Sequence, residues 1–179
     1  MNPYEIIEMY YKPGSALYQI FVSHAESVQK KALELAANNS TLNLDLDFVS
    51  EASLLHDLGI YLTYAPEIYC LGSRKYIEHG YLGADILRQL GYEKHALVSE
   101  RHTGTGLSLE YIINRDLPLP HRDLTPQSLE EQLICYADKF YSKTNLECEK
   151  SIEHIRAKLQ KRGDDSLATF DRWVELFGV

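Results

Sequence analysis

The sequence of 179 residues has only three cysteines, Cys70, Cys135 and Cys148, and none of them form a CxxC motif. This spacing predicts neither a disulfide framework nor a thiolate zinc site, and we expect reduced thiols. No apolar run approaches the roughly 20 residues of a membrane span, and the first residues lack the basic and apolar regions of a signal peptide. We therefore expect a cytoplasmic protein with no membrane partner.

Positive charge is also scarce, because 18 Lys and Arg face 26 Asp and Glu, for a formal net charge of −8. This balance argues against general nucleic-acid binding, although a metal or a local basic cluster still allows a small phosphorylated ligand. The hydrophobic fraction of 45% is typical of a globular chain. At about 150 residues per domain, the length predicts one domain over residues 1–179.

Strand-like alternation is missing as well, and the apolar residues recur at steps of three or four, which predicts an all-α fold. A short helix is expected after Ser108, and two amphipathic helices are expected within residues 149–178. The longer helices are predicted at Ser15 to Asn38, about Asp47 to Gly59, about Tyr76 to Leu90, Glu93 to His102, and Thr125-Pro126 to about Tyr141.

Local signals refine these boundaries. Gly59 is expected to end its helix as a left-handed residue, which places His56 and Asp57 in the last helical turn. Ser128 and Glu131 are spaced as in a capping box. The stretch Ile60–Lys75 has no clear period and contains proline and glycine, so we expect a connecting loop beside the mouth of a site.

Six ionisable residues fall on or beside the apolar faces of five predicted helices. They are His24, His56, Asp57, His79, His102 and Asp138. Buried ionisable groups need partners, and one shared partner serves all six. Imidazole and carboxylate are ligands of divalent Fe, Mn, Ni, Co and Zn, and a helical bundle can direct them into its core. Six ligands are more than one tetrahedral ion can bind, but they suit two ions about 3.5 to 4 Å apart that share a carboxylate.

These residues also resemble a known family. His24, His56-Asp57 and Asp138 are similar to the H…HD…D signature of the HD superfamily of metal-dependent phosphohydrolases, and His79 and His102 resemble the additional histidines of its dinuclear members. The resemblance covers roughly residues 10–143, where HGYLGADILRQLGY, ERHTGTGLSLEYI, LPLP and SLEEQLICYADKFYSK are similar to an HDIG-type subgroup. It implies an HD-domain-like helical bundle with a metal site in its core at about residues 15–143, completed by the helices within 149–178.

The resemblance further implies a role for each residue. His24, His56, Asp57 and Asp138 would hold a first ion, His79 and His102 would hold a second, and Asp57 would bridge the two. A metal-activated hydroxide would then attack the phosphate ester or anhydride of a nucleotide or similar small phosphorylated metabolite.

One position departs from the family pattern. Many catalytic members continue as HDxGK, with a lysine that reaches the substrate phosphate or the metal-bound water, whereas Ile60 stands at that position here. Another cation would have to take this catalytic role. The candidates, in order of preference, are Arg101, Lys139, Lys143, Arg74 and Arg122.

Several alternatives stay open at the level of the sequence. His79 and His102 would contact substrate phosphate if only one ion were bound. A few HD proteins with a similar ligand set are di-iron oxygenases, and a degenerate HD site would serve as a non-catalytic nucleotide sensor. His95, His121 and His154 lack the pattern, so they are interpreted as surface or structural residues.

The remaining features are open between packing and binding. The loop Thr103–Gly106 is either a phosphate contact or a plain loop, and the helix with Trp173 and Phe177 either completes the bundle or forms a homodimer contact. A cluster of tyrosines either stacks a nucleobase or packs the core. Its members are Tyr61, Tyr64, Tyr69, Tyr76 and Tyr81.

Overall fold

Apolar residues at helical spacing form nine α-helices in the part of the chain that this computed structural model describes, residues 1–146 and 148–178. The prediction of an all-α fold is confirmed. None of the helices in those residues is long and apolar enough to cross a membrane. The helices are α1 (Pro3–Tyr10), α2 (Ala16–Asn38), α3 (Leu46–Leu55), α4 (His79–Gln89), α5 (Glu93–Arg101), α6 (Leu109–Asn114), α7 (Leu129–Lys139), α8 (Ile152–Gln160) and α9 (Asp164–Phe177).

Helix starts follow side-chain capping, which satisfies backbone N–H groups that have no partner within the helix. Ser15 accepts from Tyr18 N at the start of α2. Ser128 accepts from Glu131 N at the start of α7. The Glu131 carboxylate accepts from Gln127 N instead of the Ser128 N–H, so the predicted capping box is only half formed.

Two hydrophobic clusters make up most of the core, and α2 contributes to both. One contains Tyr11, Phe21 and Leu55 with residues of α4 and α5. The other contains Tyr136 of α7 with Trp173 of α9 and further aromatic residues. Since α7, α8 and α9 share this second cluster, the C-terminal helices cover one side of the bundle. A single domain over residues 1–179 stays a prediction.

The end of α3 differs from the sequence prediction. The helix ends at Leu55, and Asp57 lies in a tight turn in which Leu58 N donates to Leu55 O and Ile60 N donates to Asp57 O. Gly59 has φ −84° and is not left-handed. It is needed because a Cβ there would lie 2.3 Å from His79 O and 2.5 Å from Gly83 N. The glycine therefore permits α4 to approach the turn that carries Asp57.

The segment Ile60–Lys75 is more regular than the predicted loop. It contains two 3₁₀ turns and an antiparallel pair of two-residue strands, β1 (Tyr64–Ala65) and β2 (Cys70–Leu71). The sequence gives no sign of this strand pair, because two residues are too few to show an alternating pattern. Helix α1 was also not predicted; Asn2 caps it and Ile6 and Ile7 are buried.

We predict that Gly59→Ala lowers the free energy of unfolding by about 1 to 3 kcal/mol, because the added methyl group meets backbone atoms of α4 that cannot turn aside. Urea denaturation followed by circular dichroism measures the loss. Lys94→Ala, on the exposed face of α5, is the matched control and should leave the midpoint nearly unchanged. Equal midpoints for Gly59→Ala and the wild type would show that α4 does not pack this closely.

Candidate metal centre

The structure brings together all six residues singled out from the sequence. His24 lies within α2, His79 is the first residue of α4, and Asp138 lies in the last turn of α7. His56 and Asp57 follow α3, and His102 follows α5. All six side chains are buried or nearly so, and Asp138 is the most exposed at 14%. Five separate parts of the chain therefore converge on one polar centre.

Asp57 lies at the middle of this centre, with each of its carboxylate oxygens facing a different pair of histidines. Oδ2 is 3.2 Å from His24 Nε2 and 2.9 Å from His56 Nε2. Oδ1 is 3.3 Å from His79 Nε2 and 3.4 Å from His102 Nε2. The carboxylate is 1% exposed, so these imidazoles are its surroundings in place of water.

The six side chains form two overlapping groups of potential metal ligands. His24, His56, Asp57 and Asp138 form the first, and Asp57, His79 and His102 form the second. Within each group, every residue offers a ligand atom within 4.8 Å of the others. In the first group, Asp138 Oδ1 lies 3.0 Å from His24 Nε2. Asp57 is common to both groups, as expected of a bridging carboxylate.

Three of the histidines are oriented by the same backbone contact. The Nδ1 atoms of His56, His79 and His102 lie 2.6 to 2.7 Å from the carbonyl oxygens of Ser53, Tyr76 and Ser99, each three residues earlier in the chain. Ser53 and Ser99 lie in the last turns of α3 and α5, where carbonyl groups lack helical partners and are free to accept such bonds. A ring that donates through Nδ1 keeps a lone pair on Nε2, which here points into the centre.

The inward-facing atoms lack adequate protein partners. His79 Nε2 and His102 Nε2 lie 3.0 Å apart, and two lone pairs at that distance need a cation or a proton between them. Within the described residues, His56 Nε2 and Asp57 Oδ1 are buried without a hydrogen-bond partner, whereas Lys143 Nζ approaches Asp57 Oδ2. Buried polar atoms are almost always partnered, so the donor set fits divalent cations.

The ionised carboxylate of Asp57 and the neutral ring of His102 favour a bound cation, whereas the charge on the His56 ring opposes one. Burial opposes ionisation of Asp57, but His56 and Lys143 outweigh it and hold the pKa of Asp57 well below its usual value. Burial lowers the pKa of His102 to about 4, so this ring is neutral and ready to coordinate. Burial likewise opposes protonation of His56, but Asp57 and Asp138 outweigh it and raise its pKa to about 9. An ion entering the site therefore has to displace a proton from His56.

Two lysines reach the centre. Lys143 Nζ is 2.5 Å from Asp57 Oδ2, and Lys139 Nζ is 2.7 Å from Asp138 Oδ2. Ile60, at the position of the family lysine, is instead buried in the core cluster with Phe21. The two lysines were ranked third and second among the replacement cations.

The other candidate cations are held elsewhere by glutamates. Arg101, ranked first, lies 2.9 Å from Glu131 at the start of α7. Arg74 pairs with Glu78 and Arg122 pairs with Glu100, each at 2.6 Å. Arg101 is adjacent to His102 in the sequence, but its guanidinium contacts the carboxylate of Glu131 on α7 and not the His/Asp centre.

A cavity of about 640 Å³ opens beside the centre, with His24, Asp138 and Tyr76 among its lining residues. Its lining is strongly basic, and Gly104 of the Thr103–Gly106 loop is also exposed to it. The basic residues are Lys139, Lys143, Lys150, Lys158, Lys161 and Arg162. Sequence reasoning missed the last four. Lys161 and Arg162 follow Lys158 by three and four residues, which predicts that the three cations share one face. The sequence does not show that this face borders the cavity.

Among the tyrosines considered for base stacking, only Tyr76 is among the cavity-lining residues. Tyr61 stacks on Tyr10 with ring centroids 5.6 Å apart, and Tyr64 and Tyr69 are exposed. Tyr81 donates to Glu78. Packing and surface positions therefore account for most of this group.

The three remaining histidines lie outside the centre. His95 contacts Glu51 at 3.2 Å and packs against Phe48. His121 and His154 are exposed.

Comparison with known proteins relates the chain to one family. The sequence model of the HD domain matches residues 21–142, which include all six residues of the centre. An uncharacterized protein of Methanocaldococcus jannaschii is 37% identical over 144 residues, which is 79% of this chain and 76% of that protein. No solved structure matches the chain.

Two further relatives are named as tRNA (cytidine(56)-2'-O)-methyltransferases. The protein of Thermoplasma volcanium is 27% identical over 170 residues, which is 94% of this chain but 45% of that protein. The protein of Picrophilus torridus is 30% identical over 124 residues, which is 69% of this chain and 32% of that protein. The chain thus spans less than half the length of each of these two relatives.

We predict that Asp57→Asn lowers the affinity for divalent metal at least about 100-fold, because the amide removes the negative charge shared by both ligand groups. Elemental analysis after loading with Mn²⁺ and dialysis measures the bound ions, and circular dichroism checks the fold. His95→Ala, which changes a histidine outside the centre, should bind as much metal as the wild type. Wild-type metal content in Asp57→Asn would contradict this ligand assignment.

Proposed function

This chain belongs to the HD domain family, and on that premise we propose that it is a phosphohydrolase. It would cleave a phosphate ester or anhydride of a nucleotide or similar small phosphorylated metabolite, with bound divalent metal as its cofactor. The observation that carries this proposal is the pairing of the His/Asp centre around Asp57 with a basic cavity that opens directly beside it. The first feature suits metal ions and the second suits a phosphorylated ligand.

The proposed ligand assignment follows the two groups of side chains. His24, His56, Asp57 and Asp138 would hold one ion, and Asp57, His79 and His102 would hold the other. Divalent ions bound there would lower the pKa of a water molecule and neutralise phosphoryl oxygens. The backbone-oriented imidazoles would keep the ligand atoms in place, because each ring is held by its Nδ1 contact.

Lys143 is the residue that we assign to the role of the missing family lysine. Burial opposes its charge, but Asp57 outweighs burial and raises the pKa of Lys143 above its usual value. Its ammonium group also lies 6.0 Å from the centre of the Tyr76 ring. A charged, nearly buried donor beside the centre is placed to hydrogen-bond a phosphoryl oxygen and to stabilise the charge that develops during transfer.

Lys139 would support the same region from the opposite side. Its ammonium group donates to Asp138 Oδ2 and to His102 O, so it connects the two ligand groups. Together with Lys143 it places positive charge at the inner end of the cavity. This local charge explains how a chain with a net charge of −8 can hold a phosphorylated ligand.

The same six side chains also suit a di-iron oxygenase, and a non-catalytic nucleotide sensor would use the same cavity. The lysines at the inner end of the cavity suit an anionic substrate, which every phosphohydrolase has. Loss of product formation on removal of Asp57 separates an enzyme from a sensor.

The proposed function is tested by release of inorganic phosphate or pyrophosphate from a panel of substrates with Mn²⁺ or Fe²⁺ supplied. The panel contains nucleoside mono-, di- and triphosphates, dinucleoside polyphosphates and cyclic dinucleotides. It also contains a short oligoribonucleotide, because two relatives are named as tRNA methyltransferases. We expect hydrolysis of at least one compound, absent in Asp57→Asn and retained in His95→Ala. No hydrolysis of any compound by metal-loaded protein, with oxygen uptake by the iron-loaded form, would favour the oxygenase.

For whichever substrate is cleaved, we predict that Lys143→Gln lowers kcat/KM by about 10²- to 10³-fold without loss of bound metal, because one donor to the developing charge is removed. Lys139→Gln should have a similar but smaller effect. Arg101→Gln is the matched comparison and should change kcat/KM little, since its guanidinium is held by Glu131. A larger loss in Arg101→Gln than in Lys143→Gln would reverse this assignment.

A further inference from the structure

The cations of the cavity fall into two groups that differ in how their charge is balanced. The inner group, Lys139 and Lys143, pairs with Asp138 and Asp57. The outer group, Lys158, Lys161 and Arg162, lies on α8 and directly after it and is exposed. Among the side chains that the structure describes, none forms an ion pair with a member of the outer group. The outer group therefore presents exposed positive charge on the wall of the cavity.

A further cation of the cavity, Lys150, lies close enough to members of both groups to be repelled by them. Lys150 stands between them, and its ammonium group donates to Lys139 O at 3.3 Å and to Tyr141 O. Burial lowers the pKa of Lys150 to about 8, and the charges of Lys158 and the inner lysines add to this effect against the pull of Asp138. Positive charges held this close together destabilise the folded chain, and an anion bound among them would relieve the repulsion.

Arg162 brings the outer group close to the His/Asp centre. A Cβ on Gly104 would lie 2.7 Å from Arg162 Nη1, so the guanidinium lies directly against the Gly104 backbone. Gly104 is two residues beyond His102, whose carbonyl oxygen accepts from Lys139. The outer cations and the centre therefore face the same cavity from neighbouring walls.

The outer group lies outside the part of the chain that matches the HD domain, residues 21–142. The His/Asp centre and the inner lysine Lys139 lie within that match, and Lys143 directly follows it. A role for the outer group would therefore distinguish this chain from the general function of the family.

We propose that Lys158, Lys161 and Arg162 form a second phosphate subsite, so that the preferred substrate carries two phosphate groups. One phosphate would lie at the His/Asp centre and the other against the outer group. This inference rests on the proposed phosphohydrolase function, for which it specifies the substrate class. The two phosphates share the same recognition chemistry whether they are joined in an anhydride or attached as separate esters.

Binding of phosphonates that cannot be hydrolysed tests the subsite without requiring turnover. The probes are methylphosphonate with one acidic group, methylenediphosphonate with two adjacent groups, and propane-1,3-diphosphonate with two separated groups. Isothermal titration calorimetry measures their affinities for the full chain loaded with Mn²⁺. We expect at least one diphosphonate to bind about tenfold tighter than methylphosphonate, the gain expected of one additional charge-assisted contact.

The variants locate this gain on the outer group. The double variant Lys158→Gln/Arg162→Gln should lose the preference for the diphosphonate and keep the affinity for methylphosphonate. The single variant Lys161→Gln should lose part of the preference for the diphosphonate. Lys30→Gln/Lys94→Gln removes the same charge from exposed positions on α2 and α5 and should keep the preference. Equal wild-type affinity for one and two phosphonates, or an equal loss in the control pair, would overturn the subsite.

The same experiment separates the subsite from the proposed function. A diphosphonate preference that depends on the outer group, combined with no hydrolysis of any phosphate compound, would support the subsite and contradict the phosphohydrolase. Tighter binding of methylenediphosphonate would indicate an anhydride, and tighter binding of propane-1,3-diphosphonate would indicate two separate esters.

Discussion

The structure depends on a buried carboxylate, Asp57, that is surrounded by imidazole nitrogens rather than by water. Three of these rings are held by backbone carbonyls in an orientation that turns their Nε2 lone pairs inward. Such a centre is stable only when positive charge lies within it, as a proton, a lysine or a metal ion. The ends of α3, α4 and α5 meet around this charge, and Ser99 connects them because its hydroxyl oxygen lies 2.8 Å from His56 O and 3.0 Å from Gly80 O, with one hydrogen to donate between them.

Much of the centre can be predicted from the sequence, because each of its polar residues interrupts or borders an apolar stripe. His24 lies among the apolar residues of α2, and its buried position follows from that spacing. The position of Asp57 beyond the helix does not follow, because a glycine at position 59 is equally typical of a helix cap. A glycine is required at position 59 because the backbone of α4 lies against it. This contact joins two separate segments, so the spacing of residues along one helix does not show it.

The cations were harder to predict than the ligands. A metal ligand has to be buried, which periodicity shows, whereas a lysine or arginine reaches its partner through a long side chain from many positions. Arg101 is adjacent to His102 in the sequence, yet it pairs with Glu131. Lys143 lies beyond the end of α7, yet it contacts Asp57. The difference is set by which carboxylate the folded chain places nearest, and that depends on how α5 and α7 pack.

We propose that Asp57 would bridge two metal ions, and electron paramagnetic resonance of the Mn²⁺-loaded chain measures whether two ions lie this close together. Two Mn²⁺ ions that share a carboxylate about 3.5 to 4 Å apart are magnetically coupled. We predict a coupled signal at full loading that gives way to the signal of isolated Mn²⁺ in His79→Ala. An isolated Mn²⁺ signal from the fully loaded wild type would contradict the bridge and leave a single ion at the centre.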